Sequence, residues 1–276
     1  MNSLQTLEAE VIDPVVGGAI QTKTSYTTAM QIIRPRNLTV VTQRVLEEAS
    51  IAGDEFYYSW SQGGSTIEGL TVGAAMAIAR NMGNCAVPVT VEETKDTYIF
   101  TATFIDLETG FNLQRSFRQN KISPKSKSGK EIYSGERGAD ILFQIGQSKA
   151  IRNVVLNAVP NWLSKKVIEK AKENISKKIE QMGTEKAKAY IIKKAEALKV
   201  SLDVIESSFG KMGGWDTVKM VQISGAFRAI EDGFANIQDA FPSTKKEKLE
   251  SLNDLKDDGA KVQTKETDKT VEIDFN

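Results

Sequence analysis

The sequence predicts an α+β fold: an antiparallel three-stranded β-meander followed by a long helix, a β-β-β-α core, with a small helical C-terminal module. Three observations carry this. Residues 85–91, 97–106 and 111–118 alternate or are rich in β-branched and aromatic residues, and the links at 92–96 and 107–110 have hairpin length. Residues 138–159 then carry Ile141, Ile145, Ala150, Val154, Val155 and Ala158 as apolar positions of one helix, which Pro160 ends. Residues 161–198 continue as a Lys-rich helical pair broken at Gly183.

Taken in order, residues 1–24 are polar with scattered Val and the pair Gly17-Gly18, and are expected to be a flexible N-terminus. Residues 25–36 read as a short extended piece ending in Arg34-Pro35-Arg36. Asn37 or Thr39 can cap a helix running to about Ala52, because Val41, Val45, Leu46 and Ala49 share one face. Phe56-Tyr57-Tyr58-Ser59-Trp60 reads as a strand closed by Gln62-Gly63-Gly64. Ser65 or Thr66 with Glu68 resembles a capping box, so a second helix is expected there, with an Ala- and Gly-rich body from Leu70 to Asn81. Residues 119–137 are polar and basic, a loop with one aromatic, Tyr133. Residues 199–241 read as a small helical module with an amphipathic run from Val218 to Ile230. Residues 242–276 are expected to be a disordered tail, apart from the apolar-acidic close Val271-Glu272-Ile273-Asp274-Phe275.

Composition removes more functions than it suggests. The chain contains no histidine. That excludes Ser-His-Asp and Cys-His triads and nearly all zinc sites, leaving carboxylates with Mg²⁺, Lys, Tyr and Ser for any catalysis. Neither a phosphate-binding G-x-x-x-x-G-K-[ST] loop nor a G-x-G-x-x-G turn is present. A single cysteine, Cys85, cannot form an internal disulfide, and an intracellular chain is the natural expectation. No basic segment followed by an apolar one opens the chain, and no apolar run has membrane-spanning length, so neither a secretory signal nor a membrane is expected. The net charge is zero, yet nine basic residues face three acidic ones between Arg115 and Arg152. A neutral average with a basic middle fits contact with nucleic acid.

Three motifs compete for chemistry. Asp106-Leu107-Glu108, at a strand end, is similar to the first motif of the DEDD exonucleases and would need two further carboxylates to hold two Mg²⁺ ions. The same residues with Thr109 and Gly110 suit a hairpin turn, and the turn is preferred. Glu93-Thr94-Lys95 is an E-x-K, as in restriction-type nucleases, but falls in a turn and reads as solvated charge. The third is the basic set: Arg115, Arg118, Lys121, Lys125, Lys127, Lys130, Arg137, Lys149 and Arg152, with Tyr133 among them. Singly, each cation is ordinary surface. Together they gather at one hairpin–helix junction, and flexible cations with a nearby aromatic suit a phosphate backbone and unstacked bases. Tyr57, Tyr58 and Trp60 are further stacking candidates, although strand aromatics more often belong to a core.

Several runs of residues resemble one family. Leu46-Glu47-Glu48-Ala49, Tyr57-Tyr58-Ser59 and Ile67-Glu68-Gly69 lead into Ala77-Ile78-Ala79-Arg80-Asn81-Met82-Gly83-Asn84. Asp106-Leu107-Glu108-Thr109, Arg137-Gly138-Ala139-Asp140 and the stretch from Lys149 to Pro160 follow. The pattern covers about residues 30–165 and resembles the phage single-strand annealing proteins, the RecT, Red-beta and Erf group. Phe209-Gly210, Trp215-Asp216, residues 225–233 and Asp239-Ala240-Phe241 are similar to the small C-terminal module of several such recombinases. The resemblance implies an annealing core over 25–198 that binds single-stranded DNA and its annealed duplex without ATP or another cofactor and without catalysis. It also implies rings or helical filaments, a phage exonuclease or host single-strand-binding protein as partners, and the cytoplasm of a bacterial host. On the same grounds Arg115, Arg118, Lys121, Arg137, Lys149 and Arg152 contact phosphates. A Mg²⁺-dependent nuclease using Asp106 and Glu108, and a phage factor that binds only protein, are the alternatives.

Overall fold

The computed structural model describes residues 35–62, 65–123 and 133–242. The expectations for residues 1–24, for Lys125, Lys127 and Lys130, and for the tail with Val271–Phe275 lie outside the described residues. The first helix, α1 (Leu38–Ile51), begins directly after Asn37, whose backbone is extended and whose side chain accepts from the Thr39 and Val40 backbone N–H groups. Its Val41, Val45 and Ala49 are buried. After a single turn at Gly53–Phe56 the chain enters β1 (Tyr57–Gln62).

The next element corrects the capping-box expectation. Ser65, Thr66 and Glu68 do not open a helix. They lie in β2 (Ser65–Leu70), which pairs antiparallel with β1 from Tyr57↔Leu70 to Gln62↔Ser65. Hydroxyl and acidic residues that suit a cap also suit the solvated side of a hairpin, and only the pairing partner decides between them. The helix starts later, as α2 (Val72–Met82). Thr71 is its cap: Oγ1 accepts from the Ala74 N–H at 3.2 Å, and the hydroxyl donates to the Glu55 carbonyl at 2.7 Å. Ala74, Ala75, Ala77 and Ile78 bury one side of it, and Gly83, at φ 58°, ends it.

The main sheet has four strands, not three. β3 (Cys85–Ala86) and β4 (Val89–Glu93) both pair antiparallel with β5 (Thr97–Asp106), and β6 (Asn112–Asn120) pairs along the other side of β5. The single strand expected over 85–91 is therefore in two pieces. Val87-Pro88 interrupts it because proline has no N–H for the ladder. The Pro88 carbonyl still accepts from the Thr103 N–H at 3.0 Å. Along β5, Phe100, Ala102, Phe104 and Asp106 are buried while their neighbours are half-exposed, the period of two expected when one face is covered.

The long helix α3 (Gly135–Ala158) covers that face. Its buried stripe is Gly138, Leu142, Gly146, Ala150, Val154 and Val155. Ile141, Ile145 and Ala158, expected inside, are only half-buried. Close approach of helix to sheet explains the shift. A side chain at Gly146 would overlap the Phe100 ring and the Gln119 Cβ, so the small residues take the contact line and the isoleucines flank it.

Pro160 separates α3 from α4 (Asn161–Met182), and Gly183, at φ 82°, separates α4 from α5 (Thr184–Ala197). Leu163, Val167, Ala171, Ile175 and Ile179 form a four-residue repeat that buries one side of α4, partly against α1. Asn174 reaches across to accept from the Gly53 N–H at 3.2 Å. Beyond lie α6 (Leu202–Phe209) and α7 (Thr217–Glu231). Segment 199–241 does not stand apart as a separate module. α7 packs on β1, with Gly225 where any Cβ would meet Ser59 and Tyr57, and Met220, Ile223 and Phe227 join one continuous core with α1, α2 and β5. The fold is thus α+β with two antiparallel sheets, and among the described residues no helix is long and apolar enough to cross a membrane.

Candidate nucleic-acid interface

The acidic motif resolves first. Asp106 ends β5, and Gly110, at φ 74°, turns the chain into β6. Arg36 lies across the motif as a planar fork: Nη1 donates to Asp106 Oδ2 at 2.8 Å and Nη2 to Oδ1 at 2.9 Å. Its Nε donates to the Met82 carbonyl at 3.0 Å, and Nη2 also to that of Gly83 at 3.1 Å. The Arg36 backbone N–H donates to Glu108 Oε1 at 2.6 Å, an oxygen that also accepts from the Asn84 amide. The two side chains of the Arg36–Asp106 pair are 7% and 9% exposed. The guanidinium hydrogen bond holds the Asp106 carboxyl below its ordinary range despite burial, and Asp106 in turn raises Arg36. Asp106-Leu107-Glu108 therefore staples the segment before α1 to the α2–β3 corner and to the hairpin. Among the described residues no three carboxylate or thiol groups gather as a metal-ligand set.

The basic residues are divided rather than pooled. Arg115 and Arg118, three apart, lie in a strand, where only residues two apart share a face. Arg115 pairs with Ala102 on the side turned toward α3, whereas Arg118 pairs with Ile99 on the opposite side; both are exposed. Lys121 is engaged: its ammonium meets Glu93 Oε1 at 2.6 Å and sits 4.8 Å over the Tyr98 ring. Tyr133 is half-buried at the base of α3, its backbone N–H donating to Ser123 Oγ at 2.7 Å; burial raises its phenol. Arg137 is exposed in the first turn of α3.

Lys149 and Arg152 lie at the other end of that helix, about 22 Å along the axis from Arg137 for Arg152 at 1.5 Å per residue. They do share a region, but Arg152 is a packing residue. Its guanidinium lies 4.2 Å over the Phe234 ring and 5.5 Å from that of Tyr58, donates to the Tyr58 hydroxyl at 3.2 Å and holds Asn153 Oδ1. Arg152 is thus a bolt between α3, β1 and the chain after α7. Tyr57 and Tyr58 are likewise core, not stacking platforms, and Trp60 is stacked on Tyr58 at 5.4 Å. Lys149 remains half-buried with no hydrogen bond or ion pair among the described residues; burial, with the like charge of Arg152 beside it, lowers its ammonium.

Two features carried no local signal or a neglected one. Arg36 meets a partner 70 residues away, and nothing near it in the chain announces that. Trp162 and Lys166 were legible in principle. Trp162 falls outside the Leu163–Ile179 stripe, so a helix buried along that stripe must turn the indole outward. It is 45% exposed, with the Lys166 ammonium 5.5 Å over its ring, at the lip of a groove between α1 and α4.

Comparison with family models, with curated proteins and with solved structures gave no match for this chain.

Proposed function

We propose that the protein binds single-stranded DNA and anneals complementary strands without ATP, as its resemblance to the phage annealing proteins implies. One observation carries the reading most. Of the six described cations between Arg115 and Arg152, only Lys121 has a carboxylate within 4.0 Å among the described residues, and Arg115, Arg118 and Arg137 are exposed. A folded surface that leaves most of its local cations unpaired is suited to an anionic polymer, and such binding is independent of sequence. Arg115, Arg118 and Arg137 supply the exposed charge.

We read β3 and β4 as one edge strand broken at Pro88, which makes the sheet with α3 the β-β-β-α unit of the resemblance. Asp106, with both carboxylate oxygens held by Arg36, supports a turn rather than a nuclease centre. The working state is a self-assembled ring or filament in the cytoplasm of a phage's bacterial host, alongside an exonuclease or a host single-strand-binding protein.

The test mixes the full chain with complementary oligonucleotides, one carrying a fluorophore and the other a quencher, without nucleotide cofactor. Acceleration over the spontaneous rate is expected. Absence of acceleration together with absence of binding at low salt refutes the reading.

A further inference from the structure

Between α1 and α4 lies an open groove of about 750 Å³ that the basic set does not include. Its α4 lip carries Trp162, Lys166 and Lys170. Spacing of four residues puts these on one ridge, about 6 Å apart along the axis. Leu38 and Leu46 line the groove from α1, with the uncharged Thr42 and Gln43 beside them. Glu47 is the acid there, and Gln43 donates to it at 3.0 Å. Lys166 has no carboxylate within 4.0 Å among the described residues, and Lys170 meets only the solvated Glu173. Lys165 adds a further exposed charge on the same turn.

We propose that this groove is a second contact for nucleic acid, in which an unstacked base lies on the Trp162 indole and the flanking phosphates meet Lys166 and Lys170. The inference rests on the single-strand reading above and deepens it. An indole face accepts any base because every base has a π-face, so the contact is indifferent to sequence. Lys166 already occupies that face by its attraction to the ring, and an incoming base moves the ammonium outward to the phosphate. The occupant must be single-stranded: in a duplex both faces of each base are already covered by its neighbours. The lysine lip calls for an anion, and the apolar lining from Leu38 and Leu46 receives the base edge and sugar. Trp162 therefore makes the protein prefer a single strand to a duplex, which exposed arginines alone cannot do.

The experiment follows anisotropy of a labelled oligo-dT together with tryptophan fluorescence of the full chain. Of the three tryptophans, Trp215 is 3% exposed and Trp60 is half-buried on Tyr58, so quenching on binding reports mainly Trp162. Trp162→Phe is expected to bind like wild type but lose most of the quenching. Trp162→Ala is expected to weaken single-strand binding roughly five- to a hundredfold and duplex binding little. Lys166→Gln with Lys170→Gln should lower the slope of log K against log salt by about 1.4, at 0.7 per phosphate contact. Binding that is equal in wild type and Trp162→Ala, with quenching that persists in Trp162→Phe, overturns the groove and leaves the annealing reading standing. No anisotropy change for wild type at low salt removes both. A change in sedimentation for Trp162→Ala with unchanged affinity overturns the groove in favour of a contact between copies of the chain.

Discussion

Removing the Asp106 carboxylate should destabilise the protein rather than silence a reaction. In Asp106→Ala the Arg36 guanidinium stays buried with the Met82 and Gly83 carbonyls but loses both oxygens of its fork. Breaking one side of a buried, hydrogen-bonded ion pair costs about 3–5 kcal/mol, because the surviving charge keeps its desolvation penalty. Glu108 loses support as well, since its backbone N–H donates to Asp106 Oδ1 at 3.0 Å. For a folded region of this size a loss of that order lowers Tm by roughly 6–20 °C. Scanning calorimetry or a thermal melt followed by circular dichroism measures it. Arg36→Met combined with Asp106→Leu should lose less than the two single changes summed, because no charge is then left buried. Acid supplies an independent check on sign. A carboxyl depressed in the folded state stabilises above its unfolded value, near 3.9, and that stabilisation disappears as pH falls through the folded value. Wild type should therefore lose stability relative to Asp106→Ala below about pH 4, and the two curves should converge. If Asp106→Ala melts within about 1 kcal/mol of wild type at pH 7, the staple is not structural and the reasoning fails.

Two other expectations rest on packing and on charge. Gly225→Ala places a methyl against Ser59 and Tyr57 at the α7–β1 contact and should destabilise by about 1–3 kcal/mol in urea unfolding, whereas Gly213→Ala, with open space around it, should not; equal effects would deny that α7 is fastened on β1. Replacing Arg115, Arg118 and Arg137 together by Gln should weaken binding to every single-stranded sequence alike and reduce the salt slope by about 2, read by anisotropy at several salt concentrations. An unchanged slope would move the interface elsewhere.

Local signals suffice where one element's own pattern carries them. The cap at Asn37, the break at Gly183 and the stop at Pro160 follow from single residues with special backbone chemistry, whereas the break at Pro88 goes against the single strand expected over 85–91. The expected inner positions of α3 show the limit of this. Helical spacing admits both the isoleucine face and the Gly138–Val154 face, and the sheet selects the one with small residues because only that one lets Phe100 approach. The same holds for Ser65–Leu70, whose pattern fits a cap or a hairpin until Tyr57 and Leu70 pair.

The sequence by itself determined the class of fold, the lack of histidine chemistry and the basic middle, since each depends on composition or on a local period. Only the tertiary structure decided which cations are free. Arg152 is committed to Tyr58 and Phe234, Arg36 to Asp106, and Lys121 to Glu93, by contacts between residues far apart in the chain. The neutralisation of a charge depends on distance in space, and spacing along the chain does not encode it.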